Sequence, residues 1–390
     1  MNEQGFSEKD IFSLLKRAKS KDTDYHKVLS SMCTSPHKIA LEAHKMFLEA
    51  NLGDLGLFSG THSLEKEVIT MLGNLLHAPL ACGYMTTGGT ESNIQAVRAM
   101  KNLGTTKKPF IKNPNIVVPD SAHFSFDKVA NMLGVEVRRA ALTSKFQVDI
   151  SSMEKLIDKE TVGLVGIAGN TEFGQVDPIE NISKLALERE LFLHVDAAFG
   201  GFVLPFIDPT LKKAAFPFDF AVKGVTSIAI DPHKMGLSTI PSGALLFRFP
   251  NFLDCLRVDT PYLTTKTQST LTGTRSGAAA AATYAVMKHL GREGYRKNVA
   301  YCMALTFKLV KGVRELRELN VELLLEPIIN VVTLRLREPA RVRQILLEKF
   351  GWHISITRKP QALRLVLMPH TTPEDIDIFL KDLKTVLEEL

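Results

Sequence analysis

The chain has 390 residues, of which 45% are hydrophobic and 23% charged, a composition typical of a globular protein with a large core. Its four cysteines form no Cys-x-x-Cys pair, so we predict neither a metal site nor disulfides, and we expect a reducing cytoplasm. The net charge of +6 comes from basic residues interleaved with acidic ones, which argues against a nucleic-acid-binding surface. No stretch has the pattern of a signal peptide or a membrane span.

Helical periodicity in Glu8–Ala18 and His37–Ala50 predicts an N-terminal arm or lid. From about Ser63, helices alternate with short apolar runs, which predicts an α/β domain whose mainly parallel sheet is covered by helices. The predicted strands are Ile116–Val118, Val162–Ala168, Leu191–Val195, Ser227–Ile230 and Ala244–Phe247. An alanine-rich helix, Gly277–Leu290, leads to a long helix near Val299–Leu319. A strand-helix-strand-helix order then predicts a small α+β domain, with Val331–Arg335, Val342–Phe350, Arg364–Met368 and Pro373–Leu390. We divide the chain into an arm, a large domain and a small domain, at residues 1–60, 61–295 and 296–390.

A glycine-rich segment, Thr86-Thr-Gly-Gly-Thr-Glu-Ser-Asn93, precedes the predicted helix Ile94–Leu103. Free backbone N–H groups and the dipole at a helix start favour a phosphate dianion, and the hydroxyls of Thr90 and Ser92 can donate further hydrogen bonds. The segment is not a P-loop, because no Gly-Lys-Ser/Thr follows. A capping box at Thr90 explains the pattern equally well.

Asp120-Ser-Ala-His-Phe-Ser125 follows the first predicted strand and places His123 at its carboxyl edge. The imidazole can stack on a bound ring there. An isolated histidine is nevertheless more often a core or loop residue.

The strand Leu191–Val195 runs into Asp196, which is followed by Ala-Ala-Phe-Gly-Gly201. A carboxylate at a buried strand end needs a cationic partner, and a protonated pyridine nitrogen would be one. Ala198 and the glycines would let a flat ring approach closely. A helix N-cap before Ala197 is the alternative.

The strand Ser227–Ile230 ends in Asp231-Pro-His-Lys-Met-Gly236 and displays His233 and Lys234. Ligands of open α/β sheets bind outside the carboxyl ends of strands, where a lysine with a low pKa can attack an aldehyde. Taken alone, Lys234 is more simply an ordinary surface lysine.

In their order along the chain, these four segments resemble the pyridoxal-phosphate-dependent group II amino-acid decarboxylases. The resemblance covers nearly the whole chain and is greatest to the archaeal L-tyrosine/L-aspartate decarboxylases. It is carried by Ser31-Met-Cys33, Asn51-Leu-Gly-Asp54, Leu57-Phe-Ser-Gly-Thr61, Ala122-His-Phe-Ser125, His194-Val-Asp-Ala-Ala-Phe-Gly-Gly201, Asp231-Pro-His-Lys-Met-Gly236 and Gly273-Thr-Arg-Ser-Gly277.

The resemblance implies a fold type I architecture, that of the pyridoxal-phosphate-dependent transferases, with a seven-stranded sheet, and a homodimer with shared active sites. It implies that Lys234 forms a Schiff base with pyridoxal 5'-phosphate, that His123 stacks on its ring, that Asp196 pairs with the ring nitrogen and that Ala198 packs on the opposite face. Residues expected to bind the phosphate or complete the cofactor site are Gly88, Gly89, Thr90, Thr171 and His233, with Thr272 and Gly273 from the other subunit.

Two further residues have roles by resemblance alone. Tyr262, in Pro261-Tyr-Leu-Thr264, is the candidate that returns a proton to the substrate after CO2 leaves. A tyrosine packed at an interface through its ring is the alternative. Arg364 matches a small-domain arginine that orients either a substrate carboxylate or the interface.

The expected activity is α-decarboxylation of an L-amino acid. Our first choice of substrate is tyrosine, whose product tyramine would imply methanofuran synthesis. Aspartate stays open as a second substrate, and its product β-alanine would imply coenzyme A synthesis. One alternative is a carbon–carbon lyase acting on a phosphorylated sphingoid base, since such lyases share the fold and the His-Lys motif. A non-catalytic binding protein that retains the fold is the other.

Overall fold

A seven-stranded sheet lies at the centre of the larger part of the molecule in the computed structural model, which describes residues 1, 3–208 and 216–390. Its strands are β1 (Cys82–Thr86), β2 (Asn115–Pro119), β3 (Glu136–Ala140), β4 (Thr161–Ile167), β5 (Phe192–Asp196), β6 (Val225–Ile230) and β7 (Gly243–Phe247). Their spatial order is β1-β7-β6-β5-β4-β2-β3. Strand β7 pairs antiparallel with β6 and with β1, and the other pairs are parallel. The prediction of a mainly parallel sheet is therefore confirmed.

Helices cover both faces of this sheet. The described α-helices are α1 (Glu8–Lys19), α2 (Lys38–Met46), α3 (Ser59–Leu75), α4 (Gly89–Lys107), α5 (Ser125–Leu133), α6 (Ile150–Lys155), α7 (Ile179–Glu188), α8 (Asn251–Asp254), α9 (Gly277–Glu315), α10 (Pro339–Phe350) and α11 (Pro373–Glu388). One apolar cluster joins the sheet to α3, α7 and the first part of α9. Another joins β2 and β4 to α4 and α5 on the other side. Central strands such as β2 and β4 are buried at every position, which explains their near-continuous apolar sequences.

A second, smaller sheet belongs to the C-terminal part of the chain. Its antiparallel strands β10 (Glu322–Leu323), β11 (Val331–Arg335), β12 (Ser355–Ile356) and β13 (Leu363–Val366) lie in the order β10-β11-β13-β12. Together with α10 and α11 they enclose a separate core around Trp352 and Phe379. A short hairpin, β8 (Val258–Asp259) and β9 (Thr267–Gln268), stands apart from both sheets.

Helix α9 connects the two cores. It covers the predicted helix Gly277–Leu290 and most of the one predicted near Val299–Leu319, which ends at Glu315. It is broken at Gly291, whose backbone is non-helical with φ of 54°. Val299 contributes to the core of the large sheet, whereas Leu305 and Leu309 contribute to that of the small one. The helix thus continues across residue 295, and the three-part division stays a prediction. No helix in the described part of the chain is long and apolar enough to cross a membrane.

The carboxyl ends of β1, β2, β4, β5 and β6 all meet at one edge of the large sheet, because these strands run in the same direction. Each of the four predicted chemical segments follows one of them. The fold therefore brings all four to the edge where open α/β sheets bind their ligands.

Candidate active site

A cleft of about 300 Å³ lies at this edge of the sheet. Nine of the predicted site residues line it, namely Gly88, Gly89, Thr90, His123, Thr171, Asp196, Ala198, His233 and Lys234. They come from segments that are as much as 146 positions apart in the chain, between Gly88 and Lys234, so the cleft is a product of the sheet's strand order.

The glycine-rich turn between β1 and α4 forms one wall of the cleft. Helix α4 begins at Gly89, with Gly88 as its N-cap at φ 148°, a conformation that side chains rarely adopt. A Cβ atom on Gly89 would lie 3.0 Å from the Cβ of Ala198, and one on Gly88 would lie 3.0 Å from His233 Cε1. Only glycine leaves this space open for a ligand at the positive end of the helix.

Two expectations about this turn are wrong. The alternative of a capping box at Thr90 fails because Gly88 is the N-cap and Thr90 lies inside the first turn. The Ser92 hydroxyl is fully buried and bonds to the Thr86 hydroxyl at 2.8 Å, so it does not serve a phosphate.

A chain of buried hydrogen bonds stands behind Asp196. The Asn93 amide donates to Asp196 Oδ2 at 2.9 Å and to the Ser125 hydroxyl at 2.9 Å. Because Asn93 Oδ1 can only accept, it receives the Nε2–H of His194 at 2.9 Å, and His194 Nδ1 in turn accepts from the Ser227 hydroxyl at 2.9 Å. Burial lowers the pKa of His194 to about 4, although Asp196 opposes the shift. A neutral histidine thus fixes the amide that orients Asp196.

The other oxygen of Asp196 accepts the backbone N–H of Ala198 at 3.1 Å. No helix begins at Ala197, since the next helical turn is Gly200–Phe202, so the N-cap alternative is wrong. The glycines that follow have a different role from the one expected. Gly200 packs against the Ala168 carbonyl and Gly201 against Ile230, so they allow close packing inside the protein.

His123 lies at the cleft, after β2. Its Nδ1 accepts the Ser125 backbone N–H at 3.2 Å, which leaves Nε2 as the protonated nitrogen. Burial lowers the pKa of this imidazole, with Asp196 acting in the opposite direction. A neutral, half-buried ring of this kind suits stacking.

Lys234 forms an ion pair that the sequence did not predict. Its Nζ lies 3.1 Å from Asp231 Oδ2, and the Asp231 side chain is 2% exposed. Burial by itself would lower the pKa of Lys234, but the charges of Asp231 and Asp196 outweigh it, so the pKa is raised. The expectation of a lysine with a low pKa is therefore wrong for the cofactor-free chain.

Of the four predicted site residues outside the lining of this cleft, three lie in exposed loops. Tyr262 is 86% exposed in the loop between β8 and β9. Thr272 and Gly273 are exposed in the loop before α9. Their contribution to the site of another subunit stays a prediction.

Arg364 lies behind the cleft, 8% exposed. Its guanidinium donates to the carbonyls of Ser30 at 2.7 Å and Thr171 at 3.3 Å, and to the Ser355 hydroxyl at 2.8 Å. Burial lowers its pKa to about 10. The arginine thus ties three segments together, which supports a positioning role and gives no support to substrate binding within one chain.

Seven lining residues were not among the predicted site residues: Thr87, Asn93, Ser121, Ile167, Gly169, Phe199 and Asp231. Two of them had a usable signal. Asn93 is four residues after Gly89 on an α-helix and so shares the face of the glycine turn, and Asp231 stands three residues before Lys234.

The comparison with known proteins decides the family. The model of the pyridoxal-dependent decarboxylase conserved domain matches residues 59–337. The chain belongs to the pyridoxal-dependent decarboxylase family. It is 67% identical to a probable L-tyrosine/L-aspartate decarboxylase of Methanosarcina mazei over 403 aligned positions, which cover 100% of this chain and 99% of the relative. It is also 50% identical to a probable L-aspartate decarboxylase of Archaeoglobus fulgidus, covering 97% of this chain and 99% of that protein.

Solved structures share the fold of this chain. A sphingosine-1-phosphate lyase of Burkholderia pseudomallei superposes with a TM-score of 0.91 at 28% identity, covering 100% of this chain and 92% of that one. A glutamate decarboxylase of Lactobacillus brevis gives 0.90 at 22% identity, with 100% and 94% covered. The predicted fold class is confirmed. The prediction of a decarboxylase is confirmed as well, in preference to the carbon–carbon lyase and the non-catalytic protein. The family model is that of a decarboxylase domain, and the relatives at 67% and 50% identity are named as probable decarboxylases.

This decarboxylase uses pyridoxal phosphate, as predicted, and the cleft fits that cofactor. The glycine turn offers a cradle that any Cβ would fill. Asp196 offers a buried carboxylate for a protonated pyridine nitrogen. In addition, Asp231 Oδ1 is buried without a hydrogen-bond partner among the described residues, as expected for a site built around a polar ligand.

Proposed function

We propose that this decarboxylase acts on L-tyrosine, or on L-aspartate, and that Lys234, Asp196 and His123 are its central residues. One observation carries the assignment of residues. The amine, the carboxylate and the imidazole converge on one cleft from the ends of three strands, and the glycine cradle opens into the same cleft.

Bound pyridoxal phosphate supplies an aldehyde that condenses with amines and a pyridinium ring that accepts the electron pair released with CO2. Lys234 would hold the cofactor through its amine, at the position that the amine of the substrate would take. Asp196, oriented by the Asn93 amide at 2.9 Å, keeps the ring nitrogen protonated and so strengthens the electron sink. His123 would hold the ring by stacking on it, Gly88, Gly89, Thr90 and His233 would bind the phosphate, and Ala198 and Thr171 would contact the ring.

The α-carbon must receive a proton after decarboxylation. Lys234 is one donor, since its Nζ lies in the cleft. Tyr262 is the other, and because it is exposed in one chain, it would have to reach the site of a second subunit. We therefore propose a homodimer in which Tyr262, Thr272 and Gly273 complete the partner's site.

The lining of the cleft favours tyrosine over aspartate. Lys234 is the one lysine or arginine that lines it in the described part of the chain. A second carboxylate, as on aspartate, would need a further cation, whereas a phenol ring needs an apolar surface such as Phe199 with polar groups at its rim. The names of the relatives include both substrates, so aspartate stays the second candidate.

Two measurements test the proposal. Sodium borohydride reduction of the loaded enzyme, followed by peptide mapping, should find the cofactor on Lys234, and Lys234→Ala should lose both the label and turnover. Amine and CO2 release from tyrosine, aspartate and glutamate, measured side by side, should show tyramine as the main product. Labelling of a different lysine would refute the assignment of Lys234, and β-alanine as the main product would refute the preference for tyrosine.

A further inference from the structure

The turn that follows β6 holds Lys234 against a carboxylate. Asp231 N donates to the Ala198 carbonyl at 3.2 Å, and Lys234 N donates to the Asp231 carbonyl at 3.1 Å. The backbone of the turn is thus fixed at both ends, with the side chains three residues apart. Their ion pair, at 3.1 Å between Nζ and Oδ2, is built into the turn.

Asp231 has no other hydrogen-bond donor within reach in the described chain. Its Oδ1 is buried and unpartnered. The nearest ring nitrogen, Nε2 of His233, lies 3.8 Å from Oδ2, which is too far for a hydrogen bond. The other ring nitrogen of His233, Nδ1, contacts the carbonyl and the backbone N–H of Ser242 and does not reach Asp231. The Lys234 ammonium is therefore the counter-charge of this carboxylate.

The other ionisable groups around Lys234 come from three elements. Asp196, at the end of β5, raises the pKa of the amine together with Asp231. Cys33, on the N-terminal segment, and His123, after β2, both sense the Lys234 charge. The two carboxylates, with Cys33 acting in the same direction, outweigh the effect of burial on the pKa of Lys234, so the cofactor-free cleft stabilises the protonated amine.

We propose that Asp231 is a positioning residue that holds Lys234 as an ammonium ion in the cofactor-free chain, so that capture of the cofactor requires this ion pair to open and a proton to leave. The proposal rests on the proposed role of Lys234. An ammonium ion has no lone pair. The amine must first release a proton to solvent; its nitrogen then bonds to the aldehyde carbon, and the aldehyde oxygen leaves as water.

The test is the rate of cofactor capture by cofactor-free protein as a function of pH. Samples are quenched with borohydride, and the reduced adduct on Lys234 is quantified by peptide mass spectrometry. In the wild type, the rate should rise with pH. Asp231→Asn should shift this profile to lower pH and speed capture at neutral pH by about tenfold or more, the equivalent of one hydrogen bond between charged groups.

Two controls isolate the ion pair. Asp219→Asn removes another nearly buried aspartate, one that bonds to His77 and to the Ala221 N–H outside the cleft, and should keep the wild-type profile. Pyridoxal, which lacks the phosphate, should show the same shift with Asp231→Asn. A shift seen with the phosphorylated aldehyde alone would mean that Asp231 acts by repelling the phosphate, and would overturn the proposal.

Identical profiles for the wild type and Asp231→Asn, with the adduct on Lys234, would also overturn it while leaving the proposed function intact. An adduct on some other lysine would instead refute the proposed function. If Asp231→Asn fails to fold, a measurement on the wild type alone tests the proposal. Reductive methylation with formaldehyde should give Lys234 a pH midpoint above that of the exposed Lys9 of α1, and a midpoint at or below it would overturn the proposal.

Discussion

Replacement of Asn93 by leucine tests the hydrogen-bond chain behind Asp196. Leucine has nearly the same volume but no polar atoms, so three buried partners lose a bond: Asp196 Oδ2, the Ser125 hydroxyl and the Nε2–H of His194. Each buried polar group left without a partner costs about 1–3 kcal/mol. Allowing for incomplete additivity among neighbours, we expect Asn93→Leu to lower the free energy of unfolding by about 3–6 kcal/mol.

The same helix supplies a matched control. Asn102 of α4 is half-buried and donates one side-chain bond, to the Cys255 carbonyl at 2.9 Å. Asn102→Leu should therefore cost about 1.5 kcal/mol or less. Urea unfolding of the cofactor-free proteins, followed by circular dichroism, gives both values when the denaturant dependence is unchanged. Asn93→Leu should also bind the cofactor more weakly, which cofactor fluorescence measures.

The reasoning would be refuted if Asn93→Leu and Asn102→Leu differed by less than about 1 kcal/mol, since three orphaned buried groups cannot cost as little as one exposed to water. Equal cofactor affinity in Asn93→Leu and the wild type would separately refute the idea that this amide orients Asp196.

Gly89→Ala should weaken cofactor binding by at least about tenfold in equilibrium dialysis, because its new methyl group would lie 3.0 Å from a neighbouring side chain of the cradle; Gly60→Ala, with nothing within 4 Å, should bind normally. Burial would raise the pKa of Glu65, but hydrogen bonds and the charge of Arg275 lower it to about 2. Because this folded-state pKa lies below the unfolded one, the carboxylate's contribution of about 3 kcal/mol is present above pH ~4.5 and is lost as the pH falls toward 2. Glu65→Gln should lower the free energy of unfolding by about 3–5 kcal/mol near neutral pH. In urea titrations at falling pH, this variant should not show the loss of stability that the wild type shows toward pH 2. Arg364→Lys should lower stability by about 2–4 kcal/mol with the substrate KM unchanged, whereas a large rise in KM at wild-type stability would restore the substrate-binding role.

The large sheet was predictable where strands are buried on both faces. The apolar run of β4, for example, has no other good explanation than a central strand. Strands β1 and β3 were not predicted, each for a different reason. β1 is Cys-Gly-Tyr-Met-Thr, which has little β-branched content, and β3 is an edge strand whose charged residues, as in Glu136-Val-Arg-Arg-Ala140, face solvent in part. Neither pattern carries the alternation that identifies a strand.

Site residues were predictable when a motif set them beside a strand end, as for His123 and Lys234. Asn93 and Asp231 were missed as site residues because their roles depend on what they meet in space. The spacing from Gly89 sets Asn93 on the face of the glycine turn, but it does not reveal the bond to His194, which is 101 positions away. Sequence indicated an amine at Lys234, but its protonation depends on a neighbouring carboxylate, and only the folded turn reveals that contact.

The reversed strand β7 explains how the glycine cradle can reach Lys234. β1 is separated from β6 by β7, so the turn after β1 must cross over this strand. Because β7 runs in the opposite direction, it presents its amino end to the cleft, and that end is Ser242-Gly243. A Cβ on Gly243 would lie 2.5 Å from the Gly88 Cα, so a larger residue would push the cradle away. The Ser242 carbonyl and N–H meanwhile both contact His233 Nδ1. The antiparallel strand thus adds no reacting group, but it provides the space and the carbonyl that keep the phosphate cradle and the lysine turn in one site.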